Sequence, residues 1–201
     1  MTVEGMLYRM RVGCPWRDLP CAFGIWNSIY TRFNAWSVAG KWQRIFKALV
    51  ECPDFAWVFI DGSYAKAHLH SAGARGGAEE AIGASRAGRT SKIHLAVDAH
   101  GLPVEFEIAG GHINDCTAAP ERIEQLLAAG AIVADKSYDC ERIREQIEAQ
   151  GARPVTPRKR TSIKGNADLD RGLYRYRHLV ENAFARLNPP STGRWRFAMT
   201  S

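Results

Sequence analysis

Two short apolar segments, each ending in an aspartate, constrain the fold of this chain more than any other feature. FAWVFI at 55–60 leads into Asp61, and AIVAD at 131–135 ends at Asp135. Such runs are typical of buried strands in an open α/β sheet, where functional groups follow the carboxyl ends of the strands. An unpaired carboxylate is costly to bury, so two neighbouring ones require a cation between them. Because Mg²⁺ prefers hard oxygen ligands, the pair indicates a magnesium site.

The segments between and after these strands alternate between strand and helix patterns. SKIHLAVDA (91–99) and LPVEFEIAG (102–110) predict a hairpin that closes near His100 and Gly101, with Asp98 on its surface. ARPVTP predicts a further short strand. The expected fold class is therefore α/β, a mixed sheet with flanking helices.

Three segments predict the helices of this region. APERIEQLLAAG follows Asp115, a suitable N-cap, and CERIREQIEAQG follows Asp139, which we expect to cap it. RYRHLVENAFARL is strongly periodic and predicts a late helix. Residues 71–90 contain five glycines and show no periodicity, so they predict a mobile loop or a disordered stretch.

Residues 1–52 have a different, helical and aromatic-rich character. In WNSIYTRFNAW the apolar residues recur at three- and four-residue steps, and GKWQRIFKALV repeats the pattern after Gly40. This predicts a helix–turn–helix pair in a separate N-terminal region, which is a candidate for DNA binding. The aromatic side chains are read as core residues, with base stacking as the alternative.

The charge distribution suggests what the chain binds. Residues 1–56 carry a net charge of +3, residues 57–151 carry −5 and residues 152–201 carry +8. Basic flanks suit a polyanion and an acidic centre suits cations, although ordinary solvated surface is the alternative.

Other features exclude several protein classes. The five cysteines include no CxxC pair, which argues against a zinc ribbon or a disulfide framework. No apolar run approaches the roughly 18 residues that span a bilayer, and the N-terminus lacks a signal-peptide pattern. We therefore expect a cytoplasmic protein that has no membrane partner.

A third carboxylate, Glu181, lies on the predicted late helix. Tyr174, Arg177 and Glu181 are spaced at i, i+3 and i+7, which places them on one helical face. An acid beside an arginine and a phenol suggests a phosphate site next to a metal. The alternative is an Arg177–Glu181 surface ion pair worth a few tenths of a kcal/mol.

Several further side chains are candidates for binding roles. Lys136, beside Asp135, either contacts DNA phosphate or balances charge. A basic run suits sequence-independent phosphate contact. Its members are Arg153, Arg158, Lys159, Arg160 and Lys164. His68 and His70 are interpreted as structural or DNA-facing rather than as zinc ligands, and His178 as a helix-surface residue rather than a metal ligand.

Motifs in a fixed order show a resemblance to a known family. GCPWRDLP, IDGSYAKAH, SKIHLAVDAHGLPV, ADKSYD and YRYRHLVENAFARL resemble the bacterial insertion-sequence DDE transposases, in particular the insertion-sequence-five (IS-five) family. The resemblance runs from about residue 5 to residue 187. It implies a ribonuclease-H-like catalytic domain at 53–187, with Asp61 on the first strand, Asp135 on the fourth and Glu181 on a later helix.

The resemblance also implies a mechanism and partners. Asp61, Asp135 and Glu181 would be the catalytic residues and the ligands of two Mg²⁺ (or Mn²⁺) ions that drive cleavage and strand transfer at a DNA phosphodiester. Tyr174 and Arg177 would contact DNA phosphate. The implied partners are double-stranded DNA, at the element ends and at the target, and further copies of the chain in an active homo-oligomer.

The chain departs from the family pattern near its end. Asn188 stands where the family has a lysine, and PPSTGRWRFAMTS after it predicts a tail at 188–201 that lies outside the family. An Arg-Tyr-Asp-Lys segment is permitted in a neighbouring reading frame, so we expect a frameshifted ending. Three functions thus remain open. They are an active transposase, an inactive remnant that only binds DNA, and a generic ribonuclease-H-like nuclease.

Overall fold

The computed structural model describes residues 1–50, 53–66, 83–85, 88–112, 115–126 and 128–187. The described residues divide into two compact units, one formed by residues 1–50 and the other by the described part of 53–187. Within these residues, no helix has both the length and the apolar composition required to cross a membrane.

The first unit is helical, as predicted. Its helices are α1 (Thr2–Val12), α2 (Trp26–Val38) and α3 (Lys41–Leu49), with 3₁₀ turns at Trp16–Asp18 and Cys21–Phe23. Gly40 separates α2 from α3 with φ 61°, a left-handed conformation that favours glycine.

The aromatic side chains of this unit pack around a small core. Met6, Leu19 and Ile29 are buried. Five aromatic residues pack against them, namely Trp16, Phe23, Trp26, Phe33 and Trp42. This arrangement favours the core interpretation of the aromatic residues over base stacking. Leu49, expected on the buried face of α3, is instead 76% exposed.

The second unit is built on one mixed sheet. Its strands are β1 (Val58–Lys66), β2 (Gly83–Ser85), β3 (Gly88–Val97), β4 (Pro103–Gly110), β5 (Ala131–Ala134) and β6 (Arg153–Val155). Their pairings give the order β4-β3-β1-β5-β6. The short strand β2 pairs with the start of β3, on the same side of β3 as β4. Strands β1, β5 and β6 are parallel, while β3 is antiparallel to β1 and β4. This mixed sheet with flanking helices confirms the predicted α/β fold class.

The helices of this unit are α4 (Asp115–Gln125), α5 (Glu141–Ala149), α6 (Arg171–Tyr174) and α7 (His178–Leu187). A 3₁₀ turn at Arg175–Arg177 joins α6 to α7, so the predicted late helix is divided into three parts. Helix α7 buries Val180, Ala183 and Phe184 at i, i+3 and i+4. It packs on β1 and β3, which brings its N-terminal end to the middle of the sheet.

Strand β1 differs from its predicted form. The predicted strand ended before Asp61, whereas β1 begins at Val58 and continues through Asp61 to Lys66. The reason is that β3 hydrogen-bonds alongside β1 as far as the Lys66–Thr90 pair. The prediction of an irregular segment over 71–90 is wrong at Gly83–Ser85, which form β2, and from Gly88, where β3 begins. The rest of that loop, like His68, His70 and the tail at 188–201, lies outside the described residues.

Two acidic residues have roles other than those predicted. Asp98 is buried, and its carboxylate accepts the backbone N–H groups of His100 (3.0 Å) and Leu102 (2.8 Å), so it holds the hairpin turn together instead of lying on its surface. Asp139 does not cap α5, whose N-cap is Cys140. The carboxylate of Asp139 instead forms an ion pair with Arg144, with 3.0 Å between Oδ1 and Nη2.

Candidate active site

Asp61 lies on β1, and Asp135 directly follows β5, the parallel strand beside it. The pairing of β1 with β5 ends at Ile60 opposite Ala134, and each aspartate is the next residue of its chain segment. Since neighbouring strands are about 4.8 Å apart, this register places the two aspartates at the same edge of the β1–β5 pair. The acidic pair inferred from the two apolar segments is therefore brought together by the sheet.

Arg177 connects Asp61 to Glu181. Its Nη2 lies 2.7 Å from Asp61 Oδ2, and its Nη1 lies 2.6 Å from Glu181 Oε1. The side chains of Asp61 and Arg177 are only 16% and 20% exposed, whereas that of Glu181 is 53% exposed. The Arg177–Glu181 pair suggested as a surface contact is thus present, and the inner contact with Asp61 extends it into the sheet.

The ionisation of Arg177 reflects these contacts. Burial lowers the pKa of Arg177, whereas the charges of Asp61 and Glu181 raise it, and Tyr174 and Asp135 raise it by smaller amounts. Together these charges outweigh burial, so the pKa of Arg177 lies above its usual value. The guanidinium therefore stays protonated throughout the physiological range. All three carboxylates act on this one cation, which shows that they share one electrostatic environment.

Tyr174 belongs to the same environment. Its side chain is half-buried, and burial is the largest cause of its raised pKa. Arg177 opposes that rise, while Asp135, Glu181 and Asp61 add to it. The phenol consequently remains a neutral hydrogen-bond donor at neutral pH.

Ser137 holds Asp135 in place and was not identified from the sequence. Its backbone N–H donates to Asp135 Oδ1 at 2.8 Å, and its hydroxyl donates to the same oxygen. Among the described residues, no donor is hydrogen-bonded to the other oxygen, Oδ2. A serine two residues after an aspartate is a signal for such an Asx turn, so the pattern ADKSYD contained the necessary information.

The carboxylate oxygens of Asp61, Asp135 and Glu181 are a donor set that suits a divalent cation. Among the described residues, no three of the side chains that commonly bind metals are grouped closely enough to hold an ion. Asp61 and Glu181 each contact the guanidinium of Arg177, and a shared ion site for the three carboxylates stays a prediction. Hard carboxylate oxygens are nevertheless the ligands that Mg²⁺ and Mn²⁺ prefer, and Asp135 has one oxygen not engaged by the described residues. The chemistry of these oxygen donors therefore fits such an ion.

The predicted DNA-contacting cations fall into two groups. Lys136 and Arg160 are exposed and form no ion pair with the described residues. Arg158 is only 11% exposed and is paired with Glu141 at 3.1 Å, and Lys159 donates through Nζ to the Asp139 carbonyl at 3.3 Å. The geometry thus leaves Lys136 and Arg160 available to phosphate and gives Arg158 a structural contact.

The basic loop between β6 and α6 is folded around acidic partners. Arg144, which is buried, binds Asp139 and donates to the Thr156 carbonyl at 2.5 Å. Asp139 also accepts the backbone N–H of Lys159 at 2.6 Å. Within the loop, Asn166 accepts the backbone N–H of Arg158 at 2.6 Å. These bonds fix the loop to the start of α5, which follows the strand that leads into Asp135.

His178 is exposed on the late helical segment. Its ring nitrogen Nδ1 lies 3.0 Å from the carbonyl of Arg175, and its ring contacts Tyr176. Tyr176 in turn stacks on Trp57 with 5.9 Å between ring centroids. These contacts favour the helix-surface interpretation of His178 over a metal ligand.

The strand order and the carboxylates beside Arg177 define an α/β domain with an acidic site. The family model described as "Transposase DDE domain" matches residues 55–201, and the model described as "Putative transposase of IS4/5 family" matches residues 1–46. The chain belongs to the DDE transposase family of insertion sequences. The DDE match extends over residues 188–201, the segment that we predicted to lie outside the family.

Two curated relatives support the same family. The "Putative transposase for insertion sequence element IS6501" of Brucella ovis is 33% identical over 102 residues, which is 49% of this chain and 75% of the relative. The "Putative transposase for insertion sequence element IS402" of Burkholderia cepacia is 32% identical over 114 residues, 51% of each chain.

Similar solved structures include the Mos1 transposase paired-end complex with left transposon end. Its identity is 10% and its TM-score 0.34, and the likeness covers 93% of this chain and 77% of that one. The simian T-cell lymphotropic virus intasome in complex with PP2A regulatory subunit B56 gamma has 11% identity and a TM-score of 0.36, covering 71% of this chain and 46% of that one. At these TM-scores the likeness is general, so the fold assignment depends on the strand order.

Proposed function

We propose that this chain cleaves and rejoins DNA at the ends of an insertion sequence, with Asp61, Asp135 and Glu181 as its catalytic carboxylates. The observation that carries the proposal is the register of β1 and β5, which puts Asp61 beside Asp135, together with Arg177, which draws Glu181 to the same place. DDE transposases generally use divalent metal ions. The proposal assigns two Mg²⁺ or Mn²⁺ ions to these carboxylates.

The side chains around the carboxylates have separate tasks. Bound ions would neutralise charge at the scissile phosphate and activate the attacking water or 3′-hydroxyl. Ser137 fixes the carboxylate of Asp135 through two hydrogen bonds to one oxygen. Tyr174 donates a hydrogen bond from its phenol O–H to a phosphate oxygen, and Arg177 binds phosphate through the fork of its guanidinium. Attack of water on phosphorus would break the P–O3′ bond and leave a 3′-hydroxyl and a 5′-phosphate. That 3′-hydroxyl would then attack a phosphorus of the target DNA, forming a new phosphodiester bond and displacing the 3′-oxygen of the target strand.

DNA is the partner that the charge pattern favours. Lys136 and Arg160 provide exposed cations for the phosphate backbone, a contact that is independent of sequence and sensitive to salt. Joining two element ends to one target requires more than one active site, so the proposal includes a homo-oligomer. The protein would act in the bacterial cytoplasm, on the nucleoid when DNA is bound.

A second candidate is a protein that binds DNA without cutting it. The observation that favours it is the guanidinium of Arg177, which takes up Asp61 and Glu181 where an ion would bind. If that contact persisted on DNA, the basic surfaces would still bind phosphate while the carboxylates remained closed to metal.

A cleavage assay distinguishes the two candidates. The substrate is duplex DNA that carries the terminal repeats flanking the gene, incubated with Mg²⁺ or Mn²⁺. We expect nicking by the unaltered protein and loss of nicking in Asp61→Asn, Asp135→Asn and Glu181→Gln, with DNA affinity retained. Glu145→Gln removes an exposed carboxylate on α5 and should cut normally. Full activity in any of the three site variants would overturn the assignment of that residue, whereas salt-sensitive binding without cleavage would support the second candidate.

A further inference from the structure

Arg177 occupies the position where the proposed function requires a metal ion. Its guanidinium bridges Asp61, on β1, and Glu181, on α7, with N–O distances of 2.7 and 2.6 Å. In a ribonuclease-H-like site without metal, these carboxylates need another cation to limit their repulsion. Among the described residues, Arg177 is the side chain that forms ion pairs with both of them.

We propose that Arg177 is a positioning residue that exchanges partners, holding Asp61 and Glu181 together in the free protein and releasing them to metal when DNA phosphate takes its guanidinium. The inference rests on the proposed function, because it assumes that these carboxylates bind the ions. Its consequence is that DNA and divalent cation bind cooperatively, and that the free protein binds metal poorly.

The chemistry of the guanidinium makes the exchange feasible. A carboxylate and a phosphate present the same pair of oxygen acceptors to the fork of an arginine, so DNA offers Arg177 an equivalent partner. The carboxylates lose a cation in the exchange and regain charge balance from the metal ions. The exchange thus replaces one set of ion pairs with another and leaves no carboxylate without a cation.

Deprotonation of Arg177 is not an alternative way to release Asp61 and Glu181. An arginine side chain does not lose its proton in a protein, so the guanidinium of Arg177 keeps its charge. It must therefore move, and the 20% exposure of its side chain gives it access to a ligand arriving from solvent. Ser137 keeps Asp135 oriented during this movement because its two hydrogen bonds do not involve Arg177.

Coupling between two ligands is reciprocal and is typically 5–150-fold in affinity. The test measures Mn²⁺ binding by electron paramagnetic resonance, with and without a generic duplex DNA at low salt. Asp61→Asn under the same conditions provides the background, since it removes a proposed ligand and leaves Mn²⁺ bound to the DNA itself. We expect the site affinity of the unaltered protein for Mn²⁺ to rise at least about fivefold with DNA.

Variants at two arginines separate exchange from general electrostatics. Arg177→Gln should bind Mn²⁺ more tightly than the unaltered protein in the absence of DNA and should lose the dependence on DNA. Arg175→Gln removes the same charge from an exposed neighbour and should keep the coupling of the unaltered protein. Arg177→Lys keeps the charge but lacks the fork, so its coupling should be reduced, which provides a second measurement if Arg177→Gln fails to fold.

The outcomes are distinct for the two proposals. Site-specific Mn²⁺ binding that is unchanged by DNA in the unaltered protein would overturn the exchange and leave the proposed function standing. The same would follow if Arg175→Gln and Arg177→Gln lost coupling equally. No Mn²⁺ bound above the Asp61→Asn background, with or without DNA, would overturn the exchange and the proposed ligand set together.

Discussion

The guanidinium of Arg177 lies 2.7 Å from the carboxylate of Asp61, which is 116 residues earlier in the chain. This contact joins the strand that carries the first aspartate to the helix that carries the glutamate. It is also better shielded from solvent than the adjacent contact of Arg177 with Glu181.

The difference in shielding predicts unequal coupling energies for the two contacts. A largely buried ion pair costs several kcal/mol when one partner is removed, whereas an exposed pair contributes about 0–1 kcal/mol. Double-mutant cycles with Asp61→Asn and Arg177→Gln should give a coupling of about 1–3 kcal/mol in urea unfolding. The cycle of Arg177→Gln with Glu181→Gln should give less than about 0.5 kcal/mol. Equal couplings would show that shielding does not control these contacts.

Ser137 is predicted to tune activity more than stability. Ser137→Ala removes the hydroxyl bond to Asp135 Oδ1 and keeps the backbone bond, so the carboxylate becomes less well oriented. Loss of a group that orients a metal ligand typically costs 10–100-fold in metal affinity or activity. We expect a loss of about tenfold in the single-turnover cleavage rate with little change in the melting temperature, and recovery in Ser137→Thr. A large fall in melting temperature with an unchanged rate would assign Ser137 a purely structural role.

The basic side chains are predicted to contribute differently to DNA binding. Lys136→Ala and Arg160→Ala should each lower the dependence of log affinity on log salt by about 0.9 for each DNA phosphate that the variant no longer neutralises. Arg158→Ala should leave the slope nearly unchanged, because its guanidinium is already paired with Glu141. Filter binding across a range of salt concentrations measures all three slopes. A larger change for Arg158→Ala than for Arg160→Ala would contradict the assignment from ion pairs.

Arg144 is predicted to stabilise the basic loop. Arg144→Met leaves Asp139 without its buried cation and the Thr156 carbonyl without this donor. Removing one partner of a buried pair costs about 3–5 kcal/mol, so urea unfolding should show a loss of that order. Amide exchange in the loop should rise as well, since the Lys159 N–H donates to Asp139. Arg142→Met, at an exposed position on the same helix, provides the control.

Glu141 makes the stability of the same loop dependent on pH. Hydrogen bonds from Lys164 and then Arg158 are the main causes that hold the pKa of Glu141 below its usual value. A carboxyl whose pKa is lower in the folded state stabilises that state above its unfolded pKa, and the stabilisation is lost as pH falls through the folded pKa. The unaltered protein should therefore be more stable than Glu141→Gln at neutral pH, and the difference should shrink in acid below the usual carboxyl range. A difference that is constant with pH would exclude this cause.

Periodicity and local composition determined most of the elements of this chain. The alternation in SKIHLAVDA and LPVEFEIAG gave the β3–β4 hairpin, and the short apolar run ending at Ala134 gave β5. The helical repeats gave α2 and α3 in the same way. The order of the motifs identified the family, because motif order does not depend on long-range contacts, and the resemblance supplied the three carboxylates that we propose as catalytic.

Tertiary structure decided what local patterns do not encode. Strand β1 extends past Asp61 only because β3 hydrogen-bonds beside it, and Asp98 is buried only because a turn closes around its carboxylate. The contacts of Arg177 show this most clearly. The spacing of Arg177 and Glu181 was visible along the chain. The bond from Arg177 to Asp61 exists because α7 packs on the sheet, and no local pattern predicts a contact across 116 residues. The residue types were fixed by the sequence, and the pairing of their charges was fixed by the packing of helix on sheet.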